Sequence, residues 1–415
     1  MVIQFDYMIT PERMGLEPTI NLSDKLEKLS ENPLFWFLKK DVVKDSPFWS
    51  LLTHRLHEAQ DSVNSHYVFY SNQHDDGSEE EHERQSIIKK LGLLIETRGG
   101  KEGKLNEDAI LIENLGDGRA VFAVFDGASS QAPIKALEEH GVSGAFYVSH
   151  LAAFGFSTSE EYKELCDKED VSPREFILTL NSWLYDQMNK IDGVNYDDVL
   201  TIPGMAATIV IVDFNKQSYS IGSVADTVGI DHSTSGGWEI ITDNLNERFD
   251  EETMNLVKEI ARRKGISIRE AAGYPEVKDQ LAASFRKKIN TPDGCGILNG
   301  MPDLEHSGLI EEHFFNSLSG LHQLVLCSDG ALTPFSSDSE ISEFLLKIKK
   351  FKEKHWGDDS MMGEVKDLLD SDPDFALFER LKHADDATLL VIEFSSLLGI
   401  AFERLALGGS FYRGE

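Results

Sequence analysis

The sequence predicts an α+β fold built on antiparallel sheets. Three observations carry this: short apolar runs ended by turn residues recur at close spacing from residue 87 onwards, helical periodicity falls in blocks between them, and no internal repeat appears. At 41% apolar and 27% charged over 415 residues, the composition is that of a globular chain and excludes disorder throughout. Asp+Glu number 72 and Lys+Arg 40, a formal charge of −32. So acidic a surface repels phosphate backbones and anionic lipid heads, which argues against nucleic acid or a membrane as the main partner.

Taken in order, residues 1–70 carry apolar clusters at helical spacing, such as LFWFL and FWSLL, and read as a helical appendage. SNQHDDGSEEEHER, residues 71–84, has almost no apolar residue and reads as an exposed linker. These 84 residues are set apart from a main domain over 85–395, followed by a tail over 396–415. In the main domain, 91–97, 109–112 and 120–125 read as strands, the last two joined by the hairpin turn Gly116-Asp117-Gly118. Helices are predicted over 134–151 and 173–191, the second with Phe176, Ile177, Leu180, Trp183, Leu184 and Met188 on one face. Strands follow over 206–214, 218–224, 228–232 and 238–242. Residues 245–320 read as helix and loop, 323–327 as a buried strand, 340–354 and 361–369 as helices, and 388–394 as the last strand.

Cys166, Cys295 and Cys327 lie far apart and form no Cys-x-x-Cys pair, which fits a reducing, cytoplasmic compartment. The N-terminus lacks a basic stretch before an apolar core, and no run reaches about 18 apolar residues, so neither export nor a membrane span is expected. His54 and His57 read as surface histidines without a third ligand. GGKEGK, residues 99–104, lacks the Gly-x-x-x-x-Gly-Lys-Ser/Thr pattern of nucleotide hydrolysis.

Asp-Gly occurs six times, and alone it means a turn. Asp126-Gly127 and Asp329-Gly330 differ, because each ends an uninterrupted apolar strand, AVFAVFDG and QLVLCSDG. Asp385-Asp386 and Glu107-Asp108 sit at the entry of two others. Carboxylates at four strand ends repel one another and raise each other's pKa unless a cation neutralises them. Oxygen ligands without a His or Cys set favour Mg²⁺ or Mn²⁺. At Gly127 the missing Cβ would let a backbone carbonyl approach such an ion.

The blocks NEDAILI, VFAVFDG, GMAATIVIV, SVADTVGI, LCSDGALT and ADDATLLVI, in that order, resemble the metal-dependent serine/threonine phosphatases of the protein phosphatase 2C family, in its bacterial form. The resemblance covers residues 87–394. It implies a four-layer α-β-β-α sandwich with a centre of two metal ions, Mg²⁺ or Mn²⁺, at one end, and a third weaker position. By the same resemblance Asp126 would bridge the ions, the Gly127 carbonyl would ligate one, and Glu107 would hold it through water. Asp329 and Asp385 would ligate the other, Asp108 would orient water, and Asp226 would serve the third ion. Thr208 would pack beneath the site.

The implied reaction is hydrolysis of phosphoserine and phosphothreonine on a protein partner by a water activated between the metals. Ser129, Ser130 and Cys327 would then not be nucleophiles. The chain departs from the family where a histidine commonly follows Asp-Gly and where a phosphate-binding arginine falls on Gly103. Lys104, Lys101 or Arg98 would supply that charge, Lys104 in a catalytic role and the other two in substrate binding. Residues 245–320 take the place of the family's flap, where Arg262, Arg263, Arg286, Lys287 and Lys288 form either a phosphoprotein contact or exposed helix faces. A pseudophosphatase that binds phosphoproteins, or a phosphatase of small metabolites, remains the alternative.

Overall fold

Among the described residues, alternation of side chains along eleven strands builds two facing sheets. In the computed structural model residues 67–68, 92–99, 105–128, 132–139, 141–233, 237–335, 337–348, 361–378, 380 and 385–394 are described. The strands are β1 Tyr67–Val68, β2 Gly92–Arg98, β3 Ala109–Gly116, β4 Arg119–Ala128, β5 Gly204–Asp213 and β6 Ser218–Val224. They continue as β7 Val228–Ser233, β8 Gly237–Ile240, β9 Glu311–Phe315, β10 Leu321–Cys327 and β11 Ala387–Glu393. One sheet has the order β3-β4-β5-β6-β9 and the other β1-β2-β11-β10-β7-β8, with every pairing antiparallel.

Between the sheets, Phe122 and Val124 of β4 and Val210 of β5 meet Leu324 and Leu326 of β10 and Leu390 and Ile392 of β11. Burying one such side chain contributes roughly 1.5–3 kcal/mol. The alternate residues Val325, Cys327, Leu389 and Val391 face outward and are covered in turn. That double coverage explains why these strands are apolar without alternation.

The helices are α1 Lys135–Glu138, α2 Gly144–Phe154, α3 Glu160–Cys166, α4 Pro173–Met188, α5 Glu247–Lys264, α6 Ile268–Ala272, α7 Pro275–Lys288, α8 Asp338–Leu345 and α9 Met361–Asp370. α2 and α4 cover the five-stranded sheet, while α8 and α9 cover the other. The result is the four-layer α-β-β-α sandwich. α4 starts where the Ser172 side chain accepts from the Glu175 amide and Pro173 opens the helix, and it buries the six-residue face predicted from its periodicity.

Three elements differ from expectation. The helix predicted over 134–151 is two, because the chain turns at Gly141 with φ 70° and Ser143 caps a new helix. β9 lies in the stretch read as helix and loop, and its sequence EEHFF offers no alternation to betray it. Tyr67–Val68, inside the segment read as helical, pair with Glu96 and Thr97 as an edge strand. The remainder of the appendage, the linker and the 396–415 tail lie outside the described residues.

In the flap, α5, α6 and α7 enclose a small core of their own around Val257, Ile260, Ala271 and Val277. Its basic residues fall in the last turns of α5 and α7, where the helix dipole favours cations. Arg263 pairs with Glu276 and Lys288 with Glu252, so the reading as exposed helix faces fits them. All three cysteines are free thiols. No helix among the described residues is long and apolar enough to cross a membrane.

Candidate metal centre

Antiparallel pairing gathers the carboxylates. β2, β4, β6 and β10 end at one rim of the sandwich, and β3, β5, β7 and β11 begin there, as the pairs Ala387↔Arg98, Ala109↔Phe125, Ala207↔Val224 and Cys327↔Val228 record. Glu107, Asp108, Asp126, Asp226, Asp329 and Asp385 therefore converge from both sheets.

Asp108 is fully buried and lies just before β3. Its Oδ2 accepts from the Ser328 hydroxyl at 2.8 Å, while Oδ1 is sealed from solvent with no hydrogen-bond partner. Burial first, and then the Asp386 carboxylate, raise its pKa well above the ordinary value against the lowering effect of hydrogen bonds from Ser328 and Thr388. At Asp126, burial leads again, followed by repulsion from Asp108, Asp329, Asp385 and Asp226. Asp226 is raised by burial, then Asp329 and Asp250, while its own backbone amide lowers it. Two like charges about 5 Å apart repel by roughly 3 kcal/mol at an effective dielectric near 20, so such a rim stays ionised only with a cation among its members.

The donor chemistry fits hard divalent cations: oxygen atoms, several mutually repelling carboxylates and one buried oxygen without a bond. Among the described residues no three His, Cys, Asp or Glu side chains close into a ready-made cage.

Gly127 follows Asp126 where β4 passes Glu107 and α2. A Cβ there would stand 2.7 Å from both the Glu107 and the Ala145 carbonyl oxygens, and neither backbone atom can swing away. Gly127→Ala is expected to destabilise the protein by about 1–3 kcal/mol, seen as a lower urea midpoint with unchanged slope; an unchanged midpoint would refute this packing. At Gly330 a Cβ would collide with the Asp386 carbonyl, so the second Asp-Gly is equally constrained.

The basic residues expected at the site fare differently. Lys101 and Lys104 lie outside the described residues. Arg98 is buried at the end of β2, where its guanidinium donates to the Met362 carbonyl beneath α9; desolvation outweighs Asp370, Asp367 and Asp386 and lowers its pKa. Its place at the end of β2 leaves two residues between it and the 101–104 stretch, and its guanidinium is turned toward α9. Thr208 is buried and donates to Thr227 at 3.0 Å, a packing role as expected. Cys327 is buried, which pushes its thiol pKa up and away from nucleophilic use.

Asp386, already singled out beside Asp385, accepts the Glu107 amide at 2.6 Å. Sequence reasoning missed other participants: the Ser143 hydroxyl donates to Glu107 Oε1 at 2.5 Å, and Ser149 donates to the Glu107 carbonyl at 2.5 Å. From α5 of the flap, Asp250 adds a carboxyl pushed up to about 7 by desolvation and Asp329.

The sequence profile of protein phosphatase 2C matches residues 97–370, well over half of the chain, and the chain belongs to that family. No curated protein matches it. Among solved structures it is similar to the serine/threonine phosphatase Stp1 from Staphylococcus aureus, with 16% identity over 73% of this chain and 94% of that one and a TM-score of 0.41. It is also similar to the serine/threonine phosphatase PstP/Ppp of Mycobacterium tuberculosis, at 16% identity, 73% and 98% coverage and a TM-score of 0.37. A third is the S. agalactiae serine/threonine phosphatase, at 14% identity, 73% and 99% coverage and a TM-score of 0.37.

Proposed function

We propose that this protein is a cytoplasmic, metal-dependent phosphatase that hydrolyses phosphoserine and phosphothreonine on protein partners, with water rather than a side chain as nucleophile. The observation that supports this most is the buried, unbonded Oδ1 of Asp108 near Asp126, whose proton affinity burial and then its carboxylate neighbours raise. Divalent cations bound at the rim would supply an acidified water and positive charge for the phosphoryl oxygens.

In this reading Asp126 would serve both cations from the end of β4, Asp329 and Asp385 would hold one, and the Gly127 carbonyl, with Glu107 acting through water, would serve the other. Asp226 would serve a third position. Asp108, with Oδ2 anchored on Ser328, would orient water in the cleft by hydrogen bonding. Lys101 and Lys104 would receive the phosphate from the 99–104 loop.

Phosphate release from a phosphothreonine peptide tests the proposal, measured with Mn²⁺, with Mg²⁺ and with EDTA, and with Asp329→Asn as control. Turnover is expected with either metal and neither in EDTA nor in the variant. Hydrolysis of small phosphorylated metabolites alone would favour the metabolite reading. Peptide binding without turnover under any metal would make the protein a pseudophosphatase.

A further inference from the structure

We propose that Ser143 is a positioning residue that orients the Glu107 carboxylate for the metal centre, by spending its single hydroxyl proton on Glu107 while its lone pair caps helix α2. The inference rests on the metal-centre reading above and adds a residue which that reading does not contain.

Glu107 is 3% exposed, and its main chain is held from two sides. Its amide donates to Asp386 Oδ2 at the entry of β11, and its carbonyl accepts from Ser149 Oγ on α2. The wedge of Gly127 between the Glu107 and Ala145 carbonyls fixes the same peptide against β4. With the backbone fixed, the remaining freedom is rotation of the side chain, and Ser143 acts on it through the 2.5 Å bond to Oε1.

The donor count makes this serine specific. A hydroxyl has one proton and two lone pairs. Ser143 Oγ accepts from the Phe146 amide at 3.1 Å, the usual bond of a helix N-cap, so its proton is free to point at Glu107. Both bonds polarise the hydroxyl in the same direction and strengthen each other. The positive end of α2, eleven residues long, faces the same carboxylate. Aspartate caps a helix as well as serine but has no proton to give and would repel Glu107. Glycine caps nearly as well and gives nothing. Threonine keeps both functions.

Those differences separate orientation from helix capping. Mn²⁺ binding to the metal-free, full-length protein would be measured by calorimetry for wild type, Ser143→Gly, Ser143→Thr and Glu107→Gln, together with the melting temperature of each without metal. Ser143→Gly is expected to raise the Mn²⁺ dissociation constant about 10-fold, the low end of the cost of losing a supporting partner at a metal centre, because Glu107 would act through water, with little change in the metal-free melting temperature. Ser143→Thr should return it to within about 3-fold of wild type, and Ser143→Gly combined with Glu107→Gln should bind no more weakly than Glu107→Gln alone.

Wild-type Mn²⁺ affinity in Ser143→Gly, with Glu107→Gln weakened, would overturn the role of Ser143 and leave the metal centre standing. Equal weakening in Ser143→Thr and Ser143→Gly would mark a packing effect and also overturn it. Wild-type affinity in Glu107→Gln would remove Glu107 from the centre and the proposal with it.

Discussion

Asp126→Asn is expected to lower metal-dependent phosphate release by about 10³-fold or more, some 4 kcal/mol of transition-state stabilisation, while the metal-free protein melts a few degrees higher than wild type. Both effects have one cause. Burial first, and then Asp108, Asp329, Asp385 and Asp226, oppose the Asp126 charge, which is costly without a cation and useful with one. The amide keeps the shape, removes the repulsion and withdraws a carboxylate that would serve the cations. A variant that keeps activity would sink the proposed mechanism; one that melts lower without metal would sink the account of repulsion.

The second large effect is a dependence of stability on pH that metal abolishes. Asp108, Asp126 and Asp226 have pKa values raised by folding, and Asp250 is pushed up to about 7. The folded state therefore binds more protons than the unfolded chain above the ordinary aspartate pKa of about 3.9, and stability falls as pH rises. The contribution of these groups is fully present below that value and is lost as pH climbs through the folded pKa values. His232 works the other way, its pKa lowered by burial and by His322, whereas the lowered carboxylates Asp170, Glu252 and Asp372 act below the ordinary carboxylate range. Without metal, the melting temperature is expected to drop by about 5 °C or more between pH 5 and pH 8. Saturating Mg²⁺ should flatten that slope, because cations replace the protons and bind more tightly as these leave. A metal-free melting temperature that stays level or rises over this range would refute the account.

Much of this molecule is legible in its sequence wherever one residue's neighbours along the chain decide its state. β6 runs over the predicted residues 218–224, and the buried face of α4 is the predicted one, because alternation and helical period are local. Asp126 and Asp329 were separable from four other Asp-Gly pairs because an apolar strand precedes each. What escaped depends on partners distant in sequence. Nothing around Ser143 marks it as a donor to Glu107, 36 residues earlier, and nothing around Ser328 announces Asp108, 220 residues away. Asp250 sits in an acidic first turn of α5, where a carboxylate needs no further reason. The burial of Arg98 under α9 is equally invisible locally, because Met362 lies 264 residues further on.

The bond from the Glu107 amide to Asp386 spans 279 residues. During synthesis at about 5–20 residues per second, the ribosome needs roughly 14–56 s to travel between them. Throughout that time the first carboxylates of the rim are made and the last are not, so the emerging chain has no assembled site to load. The full set of carboxylates comes together only when β11 is inserted between β2 and β10, late in synthesis, although the β3–β4 hairpin already joins Glu107 to Asp126. Chains stalled or clipped before residue 385 would carry most of the core but lack Asp385 and the Asp386 partner of the Glu107 amide.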